Sequence, residues 1–132
     1  MQHFLPVAKT MLTDFGEIDA ELCPPKGFFR DLQALKSMNV FMEEDEGKAY
    51  KYKYFWQAFE DCYNGLQAYC ALHQRGYSGM QFRDVAERGI DLHLNIEFVF
   101  FVGFTQLSKS ELKIVGELQS RYKGEYIIDI DA

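Results

Sequence analysis

The stretch Ile90-Asp-Leu-His-Leu-Asn-Ile-Glu-Phe98-Val-Phe-Phe-Val-Gly-Phe104 decides the fold expected of this 132-residue chain. Its first half alternates: Ile90, Leu92, Leu94, Ile96 and Phe98 share one face of an extended chain, and Asp91, His93, Asn95 and Glu97 share the other. That pattern predicts a half-buried strand. From Phe98 to Phe104 every residue but Gly103 is apolar, which predicts a strand end covered on both faces.

Downstream, Ser108-Lys-Ser-Glu111 has the spacing of a capping box, in which the serine hydroxyl accepts from an amide three residues on and the glutamate reaches back. Leu112, Val115, Leu118, Gln119 and Tyr122 follow at helical steps, with Ile114 widening the stripe, and Lys123-Gly124 supplies a stop. A helix over about 109–123 is predicted, then a short strand within Tyr126–Ile130. The resulting strand-helix-strand unit has a crossover long enough for its strands to lie parallel.

Upstream, residues 4–22 admit two readings. Phe4, Val7, Ala8, Met11, Leu12 and Phe15 have helical spacing, whereas Asp14-Phe-Gly16 looks like a turn and Glu17 to Leu22 alternates like a strand. The hairpin is the preferred reading. Pro24-Pro25 punctuates the chain before a short helix ending near Met38. A second hairpin is expected over 39–55, with Tyr50, Tyr52 and Tyr54 on one face of its second arm and Lys51 and Lys53 on the other. Trp56, Phe59, Tyr63, Leu66, Tyr69, Cys70 and His73 then mark a central helix over about 56–75, closed by Gly76. Met80, Phe82 and Val85 suggest a strand or a loop. The expected fold is α+β: one domain over 1–132, with a mixed or largely antiparallel sheet built from hairpins. The strand-helix-strand unit completes it, and the two main helices pack on the sheet.

A formal charge of −6 opposes attraction to nucleic acid or to an anionic membrane, both of which carry the same sign. Three cysteines, Cys23, Cys62 and Cys70, do not make a disulfide framework and favour a reducing compartment. Pro6 and Lys9 interrupt the first apolar run, so no signal peptide is expected, and no apolar stretch reaches the length of a membrane span. A soluble cytoplasmic protein is the expectation.

The motifs that carry chemistry are incomplete. Gly103 to Ser110 sits between a strand and a helix where a phosphate loop would lie, but Ser108 stands where the second glycine is needed, and a helix cap explains it. Cys62, Cys70 and His73 lack a fourth ligand for a metal, so packed cysteines on an aromatic helix are the simpler reading. Asp91 with His93, and Glu17, Asp19 and Glu21, form acidic rows if their strands are real; rows of this kind are ordinary solvated faces unless a pocket separates their pKa values. No cofactor and no metal are implied, and no catalytic residue is assigned, which leans away from an enzyme.

The acidic run Glu43, Glu44, Asp45 and Glu46, beside Tyr50, Tyr52 and Tyr54, is the most distinctive surface feature. An acidic rim with aromatic anchors suits a basic protein surface, and these seven residues are the expected partner-binding site. The expected function is a non-enzymatic protein-binding module that masks a basic partner such as a toxin or nuclease. In its small size, acidity and single domain the chain resembles immunity proteins that neutralise bacterial toxins. Two alternatives stand beside this: a small-molecule enzyme or sensor with a pocket between the central helix and the sheet, and a homo-oligomeric structural subunit, for instance a homodimer.

Overall fold

Residues Phe4–Ala20 form one continuous helix, α1, where a hairpin was expected. The computed structural model describes residues 4–24, 27–31, 34, 46–91, 95–104 and 106–127. The helical spacing wins because it buries Phe15 and Ile18 together with Asp19 on one stripe, which a two-residue alternation would split between faces. Thr10 and Thr13 return their hydroxyls to the carbonyls of Pro6 and Lys9, so neither competes with the helix for a backbone partner. Asp14-Phe-Gly16, read as a turn, is helix interior.

The chain groups into two compact units, residues 23–76 and residues 1–22 with 77–132. In the first, residues 27–31 are helical and α2 runs from Glu46 to Leu72. Its core is a ring cluster. Phe29 meets Phe59 edge-on at 5.8 Å and Tyr63 at 5.5 Å, while Phe55 stacks on Phe59 one turn away at 5.9 Å. The helix begins at Glu46, well before Trp56, so 46–55 is helix and not the second arm of a hairpin. Residues 39–45, the expected first arm, lie outside the described residues. The helix is closed by Gln74 in the left-handed region (φ 51°), with the Arg75 amide donating to the Cys70 carbonyl at 2.9 Å.

In the second unit, α1 packs against α3 (Ser78–Arg88), and both contact α4 (Lys109–Arg121). The α3 segment was expected as strand or loop. Its buried positions are Gly79 and Ala86, two turns apart, so the packed stripe consists of small residues and not of Met80, Phe82 and Val85.

The last third keeps its order of strand, helix and strand. β1 (Phe98–Val102) pairs parallel with β2 (Lys123–Ile127), in the register Phe98 opposite Lys123 through Val102 opposite Ile127. β1 starts at Phe98, not Ile90. Its outer positions Phe98, Phe100 and Val102 are exposed while Phe101 is buried, so the expectation that both faces are covered fails. Among the described residues the fold is mostly helical with a two-stranded parallel sheet, which overturns the hairpin-built sheet and the pair of main helices.

The α4 start follows the capping box. Ser108 Oγ accepts from the Glu111 amide, and Glu111 Oε2 accepts from the Ser108 amide at 2.8 Å and from its hydroxyl at 2.7 Å. Glu117 on the same helix accepts from the Ile90 amide at 3.0 Å, and Arg121 bridges Glu117 and the Ile90 carbonyl, which ties the α3–β1 connection to α4. Ser108→Ala is expected to lower stability by about 1 kcal/mol in urea unfolding, because it removes the cap oxygen and one of the two donors to Glu111.

Candidate functional site

The second unit is organised around a buried charge. Asp19, near the end of α1, has no exposed surface; its Oδ1 lies 2.8 Å from Arg83 Nε, and its Oδ2 accepts from the Tyr77 hydroxyl. Arg83 also donates to the Ile18 carbonyl at 3.0 Å and meets Glu87 at 3.2 Å. The guanidinium thus clamps α3 to the last turn of α1.

Beside this clamp lies a cleft of about 450 Å³ between α1, α3 and the first turn of α4. Leu12, Ala20, Tyr77 and Phe82 give it apolar walls; Glu17 and Glu111 bring carboxylates. Its floor is the close approach of α1 and α3, where Gly79 faces the backbone of Gly16. Ser110 at the α4 start is fully buried, its hydroxyl 3.2 Å from that of Ser108.

The same unit presents a second surface. Phe98 and Phe100 stack on the outer face of β1 with centroids 6.4 Å apart; they are 51% and 57% exposed, and Val102 is 57% exposed beside them. Lys123 Nζ lies 5.4 Å from the Phe98 ring centroid and 3.6 Å from Glu97. Charge divides unevenly as well. Residues 23–76 contain seven acidic and seven basic residues, whereas the unit with α1, α3 and the sheet contains thirteen acidic and seven basic and so carries the whole net −6.

The residues singled out in the sequence are dispersed. Glu43, Glu44 and Asp45 lie outside the described residues. Glu46 opens α2, and Tyr50, Tyr52 and Tyr54 follow on that helix, where a two-residue step no longer places all three on one face. Tyr54 is exposed. Glu17, Asp19 and Glu21 share no strand face: Glu17 and Glu21 are exposed and Asp19 is the buried partner of Arg83. Asp91 is exposed outside any strand, and His93 lies outside the described residues. Cys62 is exposed and Cys70 buried, and among the described residues no group of His, Cys, Asp and Glu could hold a metal ion. Among them, too, no helix is long and apolar enough to cross a membrane.

Sequence reasoning missed the clamp and the cleft. Gly16, Gly79 and Ala86 were the available signal, small residues at helical spacing that allow backbones to approach. No family model matches this chain, and no curated protein or solved structure matches it either.

Proposed function

We propose that the chain is a cytoplasmic, non-enzymatic protein-binding module, of the inhibitor or immunity type, that masks a basic partner. The observation that supports this most is the outer face of β1. A parallel strand pair ordinarily has both faces covered, yet Phe98, Phe100 and Val102 point outward in the unit that carries the entire net negative charge. Aromatic anchors of this kind slow dissociation, and the surrounding charge accelerates encounter with a cationic surface. In this reading the acidic run Glu43 to Glu46, with Tyr50, Tyr52 and Tyr54, forms a further contact.

The test is capture of partners on the tagged full chain from its native lysate at low and moderate salt, alongside a Phe98→Ser/Phe100→Ser variant and one with charge reversal at Glu43, Glu44, Asp45 and Glu46. A stoichiometric basic protein is expected, with a yield that falls as salt rises and collapses in the double phenylalanine variant. Equal recovery by that variant would remove β1 from the interface. An unchanged salt dependence after charge reversal would remove the acidic run. The exposed face also fits a second copy of the chain, and light scattering over a range of concentrations separates the two: a dimer abolished by the phenylalanine variant replaces the partner reading.

A further inference from the structure

The cleft between α1, α3 and the α4 start is independent of the β1 face and has its own chemistry. Among the described residues that line it there is no Lys, Arg or His, whereas there are two carboxylates. The Glu111 carboxylate is fixed in place, since Ser108 holds one of its oxygens through both the amide and the hydroxyl. Glu17 is exposed on α1 at the same cleft, within the acidic unit. The opposing positive contributions are the N-termini of α3, where Tyr77 provides no side-chain cap, and of α4, whose first turn holds Glu111. Two helix ends amount to about one elementary charge, less than the two carboxylates together, so the field in the cleft favours a cation.

The remaining walls set the rest of the ligand. Leu12, Ala20, Tyr77 and Phe82 offer apolar surface to a hydrocarbon group, and aromatic rings attract an ammonium set over their faces. The volume matches a small organic molecule and exceeds what a bare ion or a single water would fill. We infer that this cleft binds a small amphipathic cation, a primary ammonium carried on an aromatic or branched apolar group. The ammonium pairs with Glu17 and Glu111, and the apolar group lies against Leu12, Tyr77 and Phe82. This reading goes beyond the protein-partner proposal and does not depend on it.

The experiment is a titration of the ¹⁵N-labelled full chain followed by amide shifts, with 2-phenylethylammonium chloride as the probe. 2-Phenylethanol serves as the uncharged control and 3-phenylpropionate as the anionic one. The expected result is a saturable shift at Gly16, Ser78 and Gly79 with the ammonium, roughly five- to ten-fold weaker binding of the alcohol, and no saturation with the carboxylate. Glu17→Gln, an exposed position outside the Asp19 clamp, should bring the affinity for the ammonium down toward that for the alcohol and leave the alcohol unchanged. Equal affinity for alcohol and ammonium, saturable shifts confined to other residues, or no saturation by the ammonium would each overturn the inference. Since no protein partner is present, failure here leaves the capture experiment standing, and the reverse also holds.

Discussion

Replacing Asp19 by alanine is expected to destabilise the unit built on α1, α3 and α4 by about 3–5 kcal/mol, the range found when one member of a buried ion pair is removed. The carboxylate has no exposed surface and serves two donors from α3 and its flank, Arg83 and the Tyr77 hydroxyl. Its loss leaves a guanidinium with a side chain only 13% exposed, still held by the Ile18 carbonyl and Glu87 but without its closest counter-charge. The Tyr77 hydroxyl loses this acceptor at the same time. Urea unfolding by circular dichroism, with hydrogen exchange at α1 and α3 amides, measures the effect. An Asp19→Leu/Arg83→Met double variant should recover most of the loss, because well-packed apolar residues often replace a buried pair at little cost. If the double variant is as unstable as the sum of the single ones, the two residues do not act as a pair.

The clamp also shows why parts of the fold were legible and others were not. The capping box could be read directly because its hydrogen bonds join residues three apart, and the same four positions determine the geometry wherever the helix packs. Asp19 could not. In a local window it completes the alternation Glu17, Asp19, Glu21, and it is Arg83 and the Tyr77 hydroxyl, both distant in sequence, that make burying it in a helix favourable. The Tyr and Lys alternation from Tyr50 to Tyr54 misleads in the same way. Its period of two imitates a strand, while the packing that decides it begins at Phe55, whose stack on Phe59 is a helical contact.

In β1 the difficulty is of another kind. With apolar residues on both faces, composition does not distinguish a strand covered twice from one that leaves Phe98, Phe100 and Val102 outside. The candidate surfaces followed the same rule. The acidic run was conspicuous because it is contiguous, but it belongs to a unit of zero net charge. The cleft is assembled from three separated segments, and its lining includes two glycines that no search for chemistry-bearing residues would select.

Those glycines make opposite predictions. Gly79→Val is expected to destabilise by about 3 kcal/mol, the upper end of what overpacking a close-packed contact costs. A Cβ built on Gly79 would sit 2.6 Å from the Gly16 Cα and 2.7 Å from its carbonyl carbon, and would overlap the carbonyl oxygen. All three are backbone atoms, which cannot swing aside as a flexible side chain can, so α1 and α3 would have to separate. That separation would strain the link from Asp19 to Arg83, which spans the same pair of helices, and the loss should exceed that of a purely local clash. Gly16→Ala carries the opposite sign. A Cβ there meets nothing within 4 Å, as at the helical positions Gly65 and Gly116. Exchanging glycine for alanine inside a helix should therefore raise stability by up to about 1 kcal/mol. Urea midpoints for the two variants, measured side by side, decide the matter. A Gly79→Val protein as stable as the parent would mean that the helices do not approach at this point, and the cleft whose floor they form would have a different shape.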